Sequence, residues 1–351
     1  MQHFDRKAWP AIPSLGGTDN PMGSSHRGSS SELDESQRLK VVLSLLFPPT
    51  VRIQHTRRLP SHIHPLRLLR LSNGACLLLK SSPSSHTALL RWERSFLETE
   101  ARFLALLGHS ANPCIPQLYH YDPHGGILGS AYLLRQYVTG VSLLEMETRL
   151  SVEQRKGIDR HLGFLVRAIG QHVSRGFGSL QQVARGAGKR SWREAFCILF
   201  EGVLRDAEDM FIHLPYSEIR HELARLAPAL EEVTLPRLVV VDFGRPAHVL
   251  LDEESKQLSG VVDFSSAFWG DLLMAEILER PSHAALEGAG MSLSKTTKEG
   301  ARVLLYVVRL SCFLERINPV CLDIPATDWF PKSPFNIIAA MKRANSMRGG
   351  A

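Results

Sequence analysis

The sequence predicts an α+β fold in which a small β-rich lobe precedes a larger helical lobe. Strand-like apolar runs lie at residues 66–80 and 131–138, with a helical pattern between them. After residue 139, most apolar residues recur at spacings typical of amphipathic helices. One further pair of strand-like runs, at 249–251 and 260–264, interrupts this helical region. Strands and helices that are segregated in this way are typical of α+β architectures.

The composition is that of an ordinary globular protein, and it excludes several classes of function. The 351 residues are 44% hydrophobic and 22% charged, and they are numerous enough for two lobes. The basic residues behind the net charge of +6 are spread along the chain, so no nucleic-acid partner is expected. No apolar run reaches about 18 residues, so no membrane span is expected. The five irregularly spaced cysteines indicate free thiols and a cytoplasmic protein rather than disulfides or a zinc site.

The residue pattern divides the chain into three regions. Residues 1–36 are rich in serine, glycine and proline, which predicts a disordered tail. Residues 37–138 are predicted to form the N-terminal lobe, and residues 139–351 the helical C-terminal lobe. A short amphipathic helix from Glu35, ended by a proline pair, is expected to lead from the tail into the first lobe.

A hairpin, a helix and a strand are the clearest elements of the N-terminal lobe. The tripeptide Ser-Asn-Gly at 72–74 separates two apolar runs within 66–80, and Asn-Gly between such runs is a strong hairpin signal. Residues 86–108 carry apolar side chains at helical spacing. Residues 131–138 are expected to form the strand that leads into the second lobe.

Helices are expected to dominate the C-terminal lobe. Apolar residues recur at helical spacing over 158–169, 219–230 and 300–317. Ser191 followed by Glu194 forms a capping-box pattern at the start of another helix.

A lysine and a glutamate of the N-terminal lobe fit the requirements of phosphoryl transfer. This chemistry uses a lysine on the nucleotide phosphates, a helical glutamate that holds the lysine, an aspartate that orients the attacking hydroxyl and a second aspartate for Mg²⁺. Lys80 ends the apolar run at 77–79, and Glu100 lies on the following predicted helix. Taken alone, Lys80 is more simply a solvated strand-end lysine. The pair therefore indicates phosphoryl transfer only in combination with the two aspartates.

Two Asp-Phe pairs raise the question of which aspartate would hold a metal. The letters DFG at 242–244 spell the metal-binding loop of protein kinases, but the preceding region 215–235 is an amphipathic helical pattern without aspartate. The opposite assignment fits the order of elements, with Asp242 in the loop of the catalytic aspartate, His248 after it, and Asp263 at the end of a hairpin. Two strands that deliver two aspartates to one cleft would concentrate negative charge near Mg²⁺.

Three segments resemble the aminoglycoside phosphotransferase family, which has the kinase-like fold and includes choline kinase-type enzymes. They are GVVDFSSAFWGD (260–271), AYLLRQYVTGVSL (131–143) and LETEARFLALL (97–107). The resemblance covers residues 60–280 and implies a protein-kinase-like two-lobed fold that binds ATP and Mg²⁺ between its lobes. It also implies an ATP-dependent phosphotransferase that acts on a hydroxyl group of a small-molecule substrate.

The resemblance implies roles for individual residues of this chain. Asp242 would be the catalytic residue, which orients the acceptor hydroxyl and accepts its proton. Asp263 would bind Mg²⁺, with His248 as its partner. The residues expected to bind the nucleotide are Lys80, Glu100, Gln136, Tyr137 and Val138.

Departures from the family pattern leave the function open. Val240 and Val241 replace the family's His-Gly, and His248 replaces its asparagine. Residues 61–69, where a nucleotide-covering loop would lie, contain no glycine. The alternative is therefore a pseudokinase that binds or scaffolds without phosphoryl transfer, and an unrelated α+β binding protein is a third reading. Asp271 is expected to cap a helix rather than to act in catalysis, and the sequence does not identify the acceptor.

Overall fold

The computed structural model describes residues 29–61, 63–108, 112–292, 300–303 and 305–306. Residues 1–28 of the predicted tail lie outside the described residues, and so does most of the predicted helix over 300–317. The helix expected from Glu35 begins earlier, at Ser29. Among the described helices, none combines the length and the hydrophobicity that a membrane span requires.

The described helices lie mainly in the second lobe. They are α1 (Ser29–Leu46), α2 (Phe96–Leu107), α3 (Leu143–Met146), α4 (Val152–Ile169), α5 (Leu180–Ala184), α6 (Trp192–Asp209), α7 (Tyr216–Leu226) and α8 (His283–Ala289).

The described strands form antiparallel sheets with the orders β1-β2-β3-β5-β4, β10-β9-β6 and β7-β11-β8. Their bounds are β1 (Ile53–Leu59), β2 (Leu66–Leu71), β3 (Cys76–Ser81), β4 (Leu118–Asp122), β5 (Tyr132–Gln136), β6 (Val141–Ser142), β7 (Gly178–Ser179), β8 (Arg237–Val240), β9 (Val249–Leu251), β10 (Leu258–Val261) and β11 (Ala267–Gly270).

The five-stranded sheet of the N-terminal lobe lies between two helices. Successive residues of a strand point to opposite faces of the sheet. Leu79 of β3 accordingly packs in one apolar cluster with Leu39 of α1. On the other face, Leu133 of β5 packs against Leu97 of α2. Lys80 follows Leu79 along β3, so its side chain points to the face that α2 covers.

The predicted hairpin at 66–80 is confirmed by β2 and β3. The two strands pair from Leu66 opposite Lys80 to Arg70 opposite Cys76. Gly74 in the turn has a φ of +84°, a conformation that glycine adopts at little cost. The strand predicted at 131–138 is found as β5, and the hairpin predicted around 249–264 is found as β9 and β10.

The helix predicted over 86–108 is shorter than expected, because α2 begins only at Phe96, after a 3₁₀ turn. Backbone N–H groups before this turn donate to carboxylates instead of continuing a helix. Leu90 donates to Glu93 Oε2 at 2.7 Å. Arg91 donates to Asp206 Oδ2 of α6 at 3.3 Å. A tertiary contact to the second lobe thus replaces the first helical turns.

The predicted caps agree with the structure in part. Ser191 accepts the backbone N–H of Glu194 at 3.1 Å at the start of α6. The Glu194 carboxylate, however, pairs with Lys189 Nζ at 2.9 Å instead of closing a capping box. Asp271 accepts the backbone N–H of Leu273 at 3.2 Å and so caps a 3₁₀ turn, as expected.

Two strand pairs bring distant loops to one end of the helical lobe. β8 pairs with β11, with Val240 opposite Ala267, so the loop after β8 meets the loop before β11. β9 pairs with β10, with Val249 opposite Val261, so the residue before β9 meets the residues after β10. In an antiparallel pair the end of one strand lies beside the start of the other. Residues from 242 to 248 and from 262 to 266 are therefore neighbours, although they are separated along the chain.

Candidate active site

Lys80 and Glu100 form a buried ion pair between β3 and α2. Lys80 Nζ lies 2.6 Å from Glu100 Oε2, and the Glu100 side chain has no exposed surface. Arg135 Nε of β5 lies 3.0 Å from the other carboxylate oxygen, Oε1. Buried charges of this kind are stable only when they are paired. One carboxylate thus holds two cations on the inner face of the sheet.

Asp263 reaches the same lysine from the second lobe. Its Oδ1 atom lies 3.5 Å from Lys80 Nζ and accepts hydrogen bonds from Ser265, at 3.2 Å from the backbone N–H and at 2.6 Å from the hydroxyl. Burial alone would raise the pKa of Asp263, but the charge of Lys80, that of His248 and the Ser265 hydrogen bonds hold it well below its usual range. Asp263 is therefore ionised across the neutral range.

The backbone of Asp263 is held in the left-handed region, with a φ of +64°. Residues other than glycine rarely occupy this region, although aspartate and asparagine do so more often than most. Such conformations persist where the surrounding structure imposes them and are common at functional sites.

Asp242 follows β8, and a hydrogen bond holds one of its carboxylate oxygens. Ser266 Oγ donates a hydrogen bond to Oδ1. His248 Nδ1 lies 3.4 Å from Oδ2. The structure thus brings Asp242, Asp263, His248 and Lys80 to one region, as the predicted site requires.

The loop that carries Asp242 is fixed by a segment after β11. The backbone N–H of Glu276 donates to Val241 O at 2.8 Å, and that of Ile277 donates to Phe243 O at 3.0 Å. The Arg245 guanidinium also donates to Glu276 Oε2, at 3.0 and 3.1 Å. Val241 is a buried core residue of this lobe. The valines that replace His-Gly therefore anchor the loop in the apolar core.

The residues present fit a magnesium ion in their donor chemistry. The carboxylate of Asp263 is an oxygen ligand of the kind that Mg²⁺ prefers. His248 Nδ1 is buried without a hydrogen-bond partner among the described residues, although it lies near Asp242. No cluster of three or more potential ligands occurs in the part of the chain that the structure describes. Mg²⁺ in nucleotide sites is commonly held by one or two carboxylates together with phosphates and water. Asp263 would supply one carboxylate, and His248 would supply a nitrogen, a donor that Mg²⁺ prefers less than oxygen.

Three of the residues expected to bind the nucleotide lie at the end of β5 and in the link to the second lobe: Gln136, Tyr137 and Val138. The backbone N–H of Gln136 donates to Gln117 O at 2.8 Å, and that of Tyr137 donates to Cys76 O at 3.0 Å. Val138 packs over Gly260, where a Cβ atom would lie 2.9 Å from Val138 Cγ1. The two N–H groups are thus engaged within the protein.

The sequence reasoning missed Arg135 and Ser266. Arg135 is a buried charge in an otherwise apolar strand, and the two-residue period of β5 places it on the same face as Leu133, toward α2. That alternation was the available signal. Ser266 carried no such signal, because only the pairing of β8 with β11 brings it to Asp242.

A cavity of about 270 Å³ adjoins this group of loops between α2, α5 and α6. Its walls include Trp92, Ile198 and Phe268, and Ser266 lines it as well. Since Ser266 also donates to Asp242, the cavity lies one side chain away from that carboxylate.

Charged groups at the cavity are balanced by partners. Arg91 Nη1 lies 2.6 Å from Asp206 Oδ1, and both residues line the cavity. Lys189, a further lining residue, is paired with Glu194. The cavity therefore combines apolar walls with hydroxyl groups and little uncompensated charge.

The first lobe is an antiparallel sheet with a buried Lys–Glu pair, and the helical lobe carries two neighbouring aspartates. This combination is typical of the class of kinase-like phosphotransferases. Residues 55–274 match the model of the phosphotransferase enzyme family, APH, and the chain belongs to this family. The family resemblance of the sequence motifs is thereby confirmed. No curated protein matches the chain.

Solved structures with the same fold include two small-molecule kinases. A thermostable mutant of the aminoglycoside phosphotransferase APH(4)-Ia, in ternary complex with AMP-PNP and hygromycin B, is 16% identical, with 89% of this chain and 99% of that chain covered and a TM-score of 0.57. A candidate fructosamine-3-kinase of Thermobifida fusca is 18% identical, with 84% and 94% covered and a TM-score of 0.55. At these identities the likeness concerns the fold, and it confirms the predicted kinase-like α+β architecture.

Proposed function

We propose that this protein transfers the γ-phosphoryl group of ATP to a hydroxyl group of a small molecule. One observation carries the proposal: Lys80, held by Glu100, lies 3.5 Å from Asp263, and Asp242 lies in the adjoining loop. These four residues are of the types that phosphoryl transfer uses. The AMP-PNP bound in the APH(4)-Ia complex supports a nucleotide as the donor.

Asp242 is the proposed catalytic residue. Its Oδ1 atom accepts the Ser266 hydrogen bond, so Oδ2 is the oxygen left to orient the acceptor hydroxyl and accept its proton. The acceptor oxygen then bonds to the γ-phosphorus while the bond to the β–γ bridging oxygen breaks, which yields a phosphate ester and ADP. Because the transition state is loose, the rate depends chiefly on such positioning.

Lys80 is proposed to bind the nucleotide phosphates. Burial by itself would lower the pKa of Lys80, but Asp263 and Glu100 raise it above its ordinary value. The ammonium group is therefore charged at neutral pH. Glu100 of α2, which Arg135 of β5 also contacts, keeps it extended toward the second lobe.

Asp263 and His248 are the residues proposed to hold Mg²⁺. When bound, the ion would neutralise the charge that develops on the transferred phosphoryl group. Ser265 fixes the Asp263 carboxylate by two hydrogen bonds. The left-handed backbone of Asp263 directs its side chain into the cleft beside Lys80.

The cavity beside Ser266 supports an acceptor that is hydroxylated, partly apolar and largely uncharged. A polycationic aminoglycoside is less favoured, because the cavity carboxylate of Asp206 is already paired with Arg91. Specificity for polycations normally requires uncompensated acidic groups. The cavity volume of about 270 Å³ suits a small molecule.

The test is ATP turnover with a panel of acceptors in the presence of Mg²⁺. We expect ADP release that depends on neutral hydroxylated compounds with an apolar portion, and loss of at least about 100-fold in the Asp242→Asn variant. ATP should raise the melting temperature only with Mg²⁺, and Asp263→Ala should abolish this shift.

The alternative is a pseudokinase, which the replacement of His-Gly by Val240 and Val241 favours. It predicts that ATP raises the melting temperature but that no acceptor increases ADP release. It also predicts that Asp242→Asn leaves any residual ATP hydrolysis unchanged.

A further inference from the structure

His64 lies in the loop between β1 and β2, where glycine-rich sequences cover the nucleotide in kinases. The described part of this loop contains no glycine. His64 is 6% exposed, and its ring lies 6.4 Å from that of Phe96, the first residue of α2. The Nδ1 atom lies 3.0 Å from Ser81 O. Since a carbonyl oxygen can only accept, Nδ1 carries the proton.

His64 is on the same face of the sheet as Lys80. Leu66 is paired with Lys80 in the β2–β3 register, and directly paired residues share a face. His64 lies in a bend just before β2, and its nearest aromatic neighbour among the described residues, Phe96, belongs to the helix that covers this face.

The Nε2 atom of His64 is buried and has no hydrogen-bond partner among the described residues. An unsatisfied buried polar atom is costly, and most such atoms in native proteins have a partner. The charges of Lys80, Glu100 and Asp263 act on the His64 ring. These are the groups proposed to surround the phosphates. A phosphate oxygen that enters beside Lys80 would supply the missing partner.

We propose that His64 binds a phosphate group of the nucleotide through Nε2 and replaces the backbone contacts that a glycine-rich loop provides. This inference rests on the proposed function, because it requires that a nucleoside phosphate occupies the cleft. With Nδ1–H already donated to Ser81, Nε2 donates to phosphate only in the imidazolium form. Nucleotide binding therefore draws one proton from solvent onto His64.

The charges around His64 agree with proton uptake on binding. Burial and then the Lys80 ammonium lower the pKa of His64, while Glu100 on α2 and Asp263 after β10 oppose this effect. The free protein thus has a neutral imidazole at pH 7. Phosphate oxygens add negative charge beside the ring and favour its protonated form.

Two substitutions separate the structural bond of His64 from the proposed contact. His64→Asn places an amide near the Nδ1 position and retains a donor to Ser81 O, but it has no group at Nε2. His64→Gln reaches the Nε2 position with an amide donor. We expect His64→Asn to weaken ATP and ADP binding by about 10- to 100-fold, the effect of losing a charged hydrogen bond, with adenosine binding unchanged. His64→Gln should retain more of the ATP affinity than His64→Asn.

His120→Asn is the matched control. His120 is another partly buried histidine of the N-terminal sheet, with its pKa lowered by burial, but its ring lies 5.6 Å from that of Tyr132, which packs with α1 on the outer face. This variant should bind ATP like the wild type.

Isothermal titration calorimetry provides the measurements. ATP binding by His64→Asn within twofold of the wild type would overturn the inference, and so would an equal loss of adenosine binding. If that variant does not fold, titrations of the wild type in buffers of different ionisation enthalpy decide, and the absence of proton uptake on ATP binding overturns it. Failure of the wild type to bind either ATP or ADP would instead overturn the proposed function, and this inference with it.

Discussion

Phe264, which follows Asp263, stacks on Phe103 of α2, with ring centroids 4.4 Å apart and ring planes 12° apart. Both side chains are fully buried. α2 also carries Glu100, which holds Lys80 from the sheet. A single helix thus links the ion pair of the first lobe to the aspartate loop of the second. The distance between Lys80 and Asp263 therefore depends on an apolar contact as well as on charge.

Phe103→Leu tests this link. We expect a loss of about 1–2 kcal/mol in the free energy of unfolding and a fall in the affinity for ATP with Mg²⁺, because the smaller side chain loosens Phe264. Phe200→Leu in the fully buried core of α6 is the control, with a similar loss of stability and unchanged nucleotide affinity. Urea unfolding and calorimetry measure the two effects, and equal nucleotide affinities in both variants would contradict the link.

Gly244→Ala should distort the loop of Asp242. Gly244 has a φ of +89°, and a Cβ atom there would lie 2.7 Å from Ile277 Cβ. We expect a loss of about 1–3 kcal/mol in the free energy of unfolding and a large loss of turnover, because Ile277 also holds the loop by a backbone hydrogen bond.

Gly157→Ala in α4 is the matched control for this glycine. Nothing lies within 4 Å of an added Cβ atom there, so the substitution should stabilise the protein by about 0.5–1 kcal/mol. Thermal unfolding compares the pair. An equal response of the two variants would show that the conformation of Gly244 is not constrained.

Ser266→Ala should reduce turnover by about 10- to 100-fold while ATP affinity changes little. Without the hydroxyl, Asp242 loses the hydrogen bond on Oδ1 that orients its carboxylate with Oδ2 toward the proposed acceptor. Ser265→Ala serves as the comparison, because Ser265 holds Asp263 instead and its loss should raise the Mg²⁺ concentration needed for half-maximal rate. Steady-state kinetics with varied ATP, acceptor and Mg²⁺ distinguish the two. A change in the Mg²⁺ requirement of Ser266→Ala alone would contradict these assignments.

Asp263→Asn should make the free energy of unfolding less dependent on pH in the acidic range. The pKa of Asp263 is lower in the folded protein than its ordinary value of about 3.9, so ionisation stabilises the fold at higher pH. This contribution is complete above about pH 5 and is lost as the pH falls through the folded-state pKa. Asparagine also tolerates the left-handed backbone, which isolates the charge.

Urea unfolding of both proteins from pH 7 to pH 3 measures this effect. The free energy of unfolding of the wild type should exceed that of the variant most at neutral pH, and the difference should begin to shrink below about pH 5. A constant difference over this range would exclude the charge of Asp263 as its source.

Much of this protein follows from local patterns in its sequence. The Asn-Gly turn at 73–74 predicts the hairpin that carries Lys80, because few residues permit the tight turn. Apolar spacing predicts the helix of Glu100, and the order of strands around Asp242 and Asp263 predicts two loops at one end of a hairpin. These features depend on residues close together along the chain.

Other features arise only from tertiary structure, because they depend on strand register and on packing between lobes. The first helical turns expected before Phe96 are absent, since Asp206 of a distant helix accepts the Arg91 N–H. Ser266 reaches Asp242 only through the pairing of β8 with β11. The sequence by itself thus determined which residues carry the charges, whereas the register of antiparallel strands and the packing of α2 decided which of those charges meet.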